Sequence, residues 1–127
     1  MKLFSLFTGA GGFDLGLEAA GFSVQGAVES DPFCRATLTR NRKWKLANKG
    51  DIFSYSPIEL RKEFGFRKKE IDLISAGPPC QPFSKSSYWV NGSSLRMKDP
   101  RAKTIKASMD IIEEFLPTTF LWGHVSV

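Results

Sequence analysis

The chain begins with an apolar segment that runs directly into a cluster of glycines. Lys2 to Phe7 is rich in large apolar residues and stops at Thr8-Gly9-Ala10-Gly11-Gly12, which predicts a buried strand that enters a tight turn. Phe13 to Ala20 has a helical pattern, and Gly21 stands where a C-terminal cap is expected. A strand, a glycine-rich turn and a helix in this order favour an α/β fold.

The same alternation continues along the chain. Helix starts are indicated by an N-cap residue before proline at Asp31-Pro32 and by a capping box at Ser56-Pro57-Ile58-Glu59. The further predicted elements are strands at 23–28, 50–53 (a short strand or its exit turn), 71–76 and 119–125, and helices at 31–40, 56–64 and 103–116. The polar, basic residues 88–101 predict a long loop. Five strands separated by helices predict a Rossmann-like, doubly wound parallel sheet of order 3-2-1-4-5, truncated after the fifth strand.

Composition limits the classes of function. The 127 residues are enough for about one domain, and the net charge of +5 favours polyanionic partners without identifying one. Two cysteines, Cys34 and Cys80, are too few for a disulfide framework, and no pairing with histidine suggests a metal site, so we expect a reduced, cytoplasmic setting. No apolar run resembles a signal peptide or reaches the ~20 residues of a membrane span.

Chemistry in such sheets is expected at the carboxyl ends of the strands. Gly9 to Gly12 would let backbone amides approach a ligand, and Glu29 stands at the end of the second strand, where an acid accepts hydrogen bonds from ribose hydroxyls. Together they indicate a nucleoside-containing cofactor. The glycines lack the third spaced glycine of the dinucleotide fingerprint and are also compatible with a simple tight turn. Similarly, Glu29 could be a solvated carboxylate, Asp51 a capping residue and Ile52 a core residue.

Cys80 is the strongest candidate nucleophile. It follows Gly77-Pro78-Pro79 in a turn at the active edge of the sheet, and a stabilised thiolate can add to an electron-poor carbon such as C6 of a pyrimidine. Cys34 lies within a predicted helix, and for it we expect the ordinary role of a small buried apolar residue.

These motifs together resemble the DNA cytosine-5 methyltransferase family. The resemblance rests on 7–13 (Phe-Thr-Gly-Ala-Gly-Gly-Phe), Glu29, Asp51-Ile52 and, above all, 77–84 (Gly-Pro-Pro-Cys-Gln-Pro-Phe-Ser). Asp99-Pro100-Arg101 resembles a further, weaker motif. The match extends from Met1 to the last residues, so the whole chain is expected to be the N-terminal part of a methyltransferase catalytic domain, without a target-recognition domain.

The resemblance implies S-adenosyl-L-methionine as cofactor and double-stranded DNA as substrate. It implies that Phe7 packs on adenine, that Gly9, Ala10 and Gly12 line the methionine part, and that Glu29 binds the ribose. Asp51 and Ile52 would hold the adenine, Pro79 would border the sulfonium, and Cys80 would attack C6 of a flipped-out cytosine. The residues expected to meet DNA are Gln81, Ser84, Lys85, Arg96, Lys98 and Arg101, although these charges are also typical of a solvated loop.

One position departs from the family pattern. The family places Glu-Asn-Val at the end of the fifth strand, where the glutamate assists protonation of the cytosine ring, whereas this chain has Gly123-His124-Val125. Gly123 has no side chain to donate or accept a proton, and His124 is interpreted as a residue that the position merely tolerates. We therefore expect the chain alone to be inactive.

Three interpretations follow. The first is an enzyme that transfers a methyl group to cytosine C5 in DNA, as in restriction-modification, and needs a missing C-terminal segment or a complementary subunit. The second is a degenerate, non-catalytic module that binds the cofactor or a partner. The third is a tRNA methyltransferase of the same family, because nothing in these residues separates DNA from RNA. No membrane partner and no metal are expected, and the expected location is the cytoplasm, at the nucleoid.

Overall fold

A computed structural model of the chain describes residues 1–77 and 100–123. In chain order the elements are β1 (Lys2–Leu6), α1 (Gly12–Ala19), β2 (Ser23–Val28), α2 (Pro32–Asn41), a 3₁₀ helix (Ile52–Ser54), α3 (Pro57–Phe64), β3 (Leu73–Ala76), α4 (Pro100–Phe115) and β4 (Thr119–Trp122). Within the described residues the sheet has four parallel strands in the order β2-β1-β3-β4. The predicted α/β, Rossmann-like parallel sheet is confirmed.

Residues 50–53, predicted as a short strand or its exit turn, form a turn and not a strand. Asp51 accepts a hydrogen bond from the N–H of Phe53 at 2.9 Å and thereby caps the 3₁₀ helix, so this segment turns instead of extending. Pairing beside β2 is reduced to a single parallel bridge between Ala27 and Leu46. This bridge lies on the outer side of β2, where the order 3-2-1-4-5 places a third strand.

The two faces of the sheet are covered differently, because successive residues of a strand point to opposite sides. On one face, Phe4 of β1 contacts Phe64 at the end of α3 and Phe115 at the end of α4, with ring centroids 5.0 and 5.1 Å apart. On the other face, Ser5 and Ser75 hydrogen-bond to Asp14 of α1. Helices therefore cover both faces of the central strands, which are buried except for Lys2 at the start of β1.

The predicted helix starts are confirmed by their caps. The Asp31 carboxylate accepts from the N–H groups of Phe33 and Cys34, and the Ser56 hydroxyl accepts from the N–H of Glu59. The predicted loop at 88–101 lies outside the described residues up to 99, and α4 begins at Pro100, earlier than the predicted start at 103. None of the helices in these two ranges is long and apolar enough to cross a membrane.

Cys34 lies in a helix as predicted but is not buried as expected. It lies in the first turn of α2, half-exposed, because its N–H is held by the capping Asp31 at the helix start. Partial burial raises the pKa of its thiol, and the Glu29 and Asp31 carboxylates raise that pKa further. A thiol with a raised pKa is a poor nucleophile at neutral pH.

Candidate active site

The glycine-rich turn after β1 is built from residues with left-handed backbone conformations. Phe7, Gly9 and Gly11 have φ angles of 54°, 62° and 94°, and only glycine adopts these values without strain. Phe7 is half-buried and packs against the core. Ala10 is exposed, and Gly12 begins α1. Gly11 is the N-cap of α1 and offers no side chain to the amides of its first turn.

The Glu29 carboxylate organises this turn. The side chain is almost buried. Its Oε1 accepts a hydrogen bond from the N–H of Gly9 and its Oε2 accepts one from the N–H of Asp31, both at 2.7 Å. The guanidinium of Arg35 donates to the carbonyls of Glu29 and Ala47 at 2.8 and 3.0 Å, which fixes the end of β2 from the side of α2. The glycine-rich turn and Glu29 are therefore in direct contact through a hydrogen bond. Arg35 belongs to none of the sequence motifs and was not predicted as a site residue.

Gly11 is needed for close packing as well as for its backbone angle. A Cβ on Gly11 would lie 2.8 Å from Cδ2 of Leu38 and 3.4 Å from Cζ3 of Trp44. The indole N–H of Trp44 donates to Oε2 of Glu18 at 3.0 Å, which holds the ring in place. Trp44 was not predicted to contact the turn, since no local pattern links positions 11, 38 and 44.

Asp51 and Ile52 follow Gly50, which lies against the residue after β2. Gly50 approaches so closely that a Cβ there would lie 2.9 Å from the Glu29 carbonyl oxygen. Asp51 is exposed, whereas Ile52 is buried in the core. Ile52 also lines a cavity of about 300 Å³ between the 3₁₀ helix and α4, whose other lining residues are Phe53, Tyr55, Pro57, Lys103, Lys106, Ala107, Asp110 and Ile111. Phe53, 56% exposed at this cavity, was not predicted as a site residue.

Gly123 lies at the end of β4, beside the end of β3. Its N–H donates to the carbonyl of Ala76 at 2.8 Å. A Cβ at this position would lie 3.7 Å from Cζ of Phe13 and 3.8 Å from the Ala76 oxygen, which are ordinary contact distances. The backbone at position 123 therefore has room for the first atom of a side chain.

Several predicted site residues lie outside the described residues, namely Pro79, Cys80, Gln81, Ser84, Lys85, Arg96, Lys98 and His124. Arg101 is in the first turn of α4, and its side chain is also outside the described part. Across residues 1–77 and 100–123, histidine, cysteine, aspartate and glutamate form no group of three that could hold a metal ion.

Comparison with known proteins gives one consistent family. The family model for C-5 cytosine-specific DNA methylase matches residues 1–125. The chain is 40% identical to the type II methyltransferases M.AquIA of Picosynechococcus sp. and M.FnuDI of Fusobacterium nucleatum, with 98% of the chain aligned in both cases. It covers 48% of the first relative and 32% of the second, so it spans about half or less of their length.

Solved structures agree with this result. A protein described as a DNA modification methyltransferase encoded within a prophage of E. coli matches with a TM-score of 0.74 and 27% identity, over 98% of this chain and 32% of that one. Spodoptera frugiperda DNMT2 matches with a TM-score of 0.64 and 24% identity, over 98% of this chain and 35% of that one, and shows a shared fold.

Proposed function

This chain belongs to the C-5 cytosine-specific DNA methylase family, and we propose that it is the cofactor-binding and nucleophile-bearing part of a cytosine-5 DNA methyltransferase. The observation that carries the proposal is the Glu29 carboxylate, which is nearly buried at the end of β2 and bound to Gly9 of the glycine-rich turn. A carboxylate in this position suits the two hydroxyls of a ribose.

The described residues fit S-adenosylmethionine. Each oxygen of Glu29 already accepts one N–H and keeps capacity for one ribose hydroxyl. The uncapped start of α1 suits the methionine carboxylate, and no atom lies within 4 Å of a Cβ built on Gly9 or Gly12, which leaves open space above the turn. Ile52 and Phe53 would contact the adenine. When bound, the cofactor supplies an electrophilic methyl group.

Cys80 is proposed as the nucleophile. Its thiolate would form a bond to C6 of a cytosine extruded from the duplex, which places negative charge on the ring and makes C5 nucleophilic enough to accept the methyl group. The C5 hydrogen would then leave as a proton, and expulsion of the thiolate would restore the aromatic ring. Pro79 would border the reacting methyl group, while Gln81, Ser84, Lys85, Arg96, Lys98 and Arg101 would contact DNA.

The complete enzyme is proposed to need a further segment or a complementary subunit. The chain covers 48% of one type II relative and 32% of another. Among the described residues β4 is an edge strand of the sheet, and its Phe120 and Leu121 are 49% and 41% exposed. Apolar side chains on an edge strand favour a covering polypeptide.

A second function is supported by one specific position. Gly123 stands where the family's acid is expected and provides no proton donor for the cytosine ring. This favours a non-catalytic module that keeps cofactor binding and has lost methyl transfer. The two functions share the cofactor site and differ in chemistry.

Calorimetry with S-adenosylhomocysteine tests the shared part. We expect a saturable heat of binding for the chain and at least about tenfold weaker binding for Glu29→Ala, because hydrogen bonds to a charged group contribute about 1.5–3 kcal/mol. Glu113→Ala, which removes an exposed glutamate of α4, is the matched control and should bind like the unaltered chain. Absence of heat with folded protein at millimolar ligand would refute the cofactor assignment.

A further inference from the structure

Asp14 is a buried carboxylate to which the proposed chemistry gives no role. It lies in the first turn of α1 and is 2% exposed. Its Oδ2 accepts from the hydroxyl of Ser5 in β1 at 2.7 Å, and its Oδ1 accepts from the hydroxyl of Ser75 in β3 at 2.8 Å. One side chain of α1 thus joins the two central strands close to their carboxyl ends.

The hydrogen bonds extend from Asp14 into the glycine-rich turn. The hydroxyl of Ser5 lies 3.0 Å from that of Thr8, and the backbone N–H of Thr8 donates to the carbonyl oxygen of Val28 at 3.3 Å. When Asp14 is ionised, Ser5 uses its single hydrogen on the carboxylate, so the hydrogen between Ser5 and Thr8 comes from Thr8. A continuous series of contacts therefore connects β3 to the turn and reaches the residue that precedes Glu29.

A purely structural role is a poor explanation for this arrangement. Burying a carboxylate costs free energy that an apolar residue in the same place would not, even when hydrogen bonds compensate part of it. An acid at this helical position ordinarily turns back to the backbone of the N-cap. Here both carboxylate oxygens instead bind hydroxyls from two different strands. Packing alone needs no such group.

We propose that Asp14 is a positioning residue that holds the Thr8–Gly11 turn at a fixed distance from the end of β3. The inference deepens the proposed function, on which it rests, because this turn and the end of β3 would border the cofactor from two sides. Asp14 would touch no substrate; it would act through Ser5, Thr8 and Ser75. Its loss would leave the sheet intact and loosen the turn.

Amide hydrogen exchange of the free chain tests this directly. We compare Asp14→Asn and Ser75→Ala with Ser75→Thr, which keeps the hydroxyl. The matched control is Ser108→Ala, which removes an equally buried hydroxyl that donates only to the Thr104 carbonyl within α4. In the first two variants we expect exchange at Thr8, Gly9 and Gly11 to rise about tenfold relative to the amides of β1. Ser75→Thr should restore protection, and Ser108→Ala should leave the turn unchanged.

Binding of S-adenosylhomocysteine is measured on the same variants under conditions where each is fully folded. Asp14→Asn and Ser75→Ala should bind about tenfold more weakly, while Ser108→Ala binds normally. Exchange in the turn that rises no more than in Ser108→Ala would overturn the inference, and Ser75→Ala keeps that test available if Asp14→Asn does not fold. If the unaltered chain binds no ligand, the cofactor assignment fails, while the exchange data still decide whether Asp14 holds the turn.

Discussion

The carboxylate of Glu29 accepts a hydrogen bond from the backbone N–H of Gly9 at 2.7 Å and joins the end of β2 to the turn after β1. The second oxygen accepts from the N–H of Asp31 at the same distance. The turn is thus ordered by an acid before any ligand is present. A ribose would meet a carboxylate whose position is already fixed, which lowers the entropy cost of binding.

Glu29→Gln is therefore expected to destabilise the free chain. The amide keeps one acceptor but turns an NH₂ group toward an N–H donor, so one nearly buried N–H loses its partner at a cost of about 1–3 kcal/mol. Urea unfolding followed by circular dichroism measures the change. Glu113→Gln, at an exposed position of α4, serves as the control and should unfold like the unaltered chain. Equal stability of all three proteins would contradict this prediction.

Gly11→Ala should be destabilising by about 1–3 kcal/mol. The residue has φ of 94°, and the new methyl group would lie 2.8 Å from Cδ2 of Leu38. Gly16→Ala is the control within the same helix, because nothing lies within 4 Å of its Cβ position. It should stabilise the chain by about 0.5–1 kcal/mol. Thermal unfolding of the two variants separates the outcomes, and a neutral Gly11→Ala would exclude the packing role given to Trp44 and Leu38.

The buried carboxyl group of Asp14 is expected to make the free energy of unfolding depend on pH. Burial raises the pKa of this carboxyl, and the hydrogen bonds from Ser5 and Ser75 oppose part of the rise. A carboxyl whose pKa is higher in the folded state binds more protons when the chain is folded. Its contribution to stability is therefore fully present below the unfolded pKa of about 3.9. This contribution is lost as the pH rises through the folded pKa. The difference in free energy of unfolding between the unaltered chain and the Asp14→Asn variant should therefore decrease as the pH rises above about 4. A difference that is constant or increases with pH would contradict the raised pKa.

The exposed edge of β4 predicts self-association of the isolated chain. Phe120 and Leu121 are 49% and 41% exposed, and apolar edge strands pair readily with other chains. Replacing both residues with threonine should lower the weight-average mass in sedimentation velocity. Phe33→Thr, which removes an aromatic side chain that is 84% exposed on α2, should leave the mass distribution unchanged. If the unaltered chain is a monomer, the prediction of self-association through the edge of β4 is wrong.

Methyl transfer by the isolated chain is expected to be absent. Addition of a thiolate to C6 builds negative charge on the ring, and Gly123 provides no acid, a loss of about 10²–10⁴-fold in rate. Tritiated-methyl transfer to mixed-sequence duplex DNA would be measured for the chain, for Gly123→Glu, and for both with a complementary methyltransferase polypeptide. We expect turnover only with the added polypeptide and an increase with Gly123→Glu, because position 123 has room for a Cβ. All activity should disappear in Cys80→Ala. Robust Cys80-dependent turnover by the unaltered chain alone would disprove its inactivity.

Sequence alone determined the features that depend on a few neighbouring residues. Asp31 and Ser56 cap helices because each side chain reaches N–H groups two or three positions ahead. The apolar segment at Lys2–Phe7 and the glycines after it likewise predicted β1 and its turn, and the motif around Cys80 identified the family. These signals are local, so they can be read without knowing the fold.

Tertiary structure decided which distant residues meet. The sequence left residues 50–53 undecided between a strand and a turn, and the hydrogen bond from the N–H of Phe53 to the Asp51 carboxylate shows that they form the turn. The contact between Asp14 and Ser75 joins positions that are 61 residues apart, and no periodicity or spacing predicts such a pair. Their meeting depends on how α1 packs across β1 and β3. Packing of whole elements is set by the sum of all side-chain contacts, which no short segment of the sequence contains.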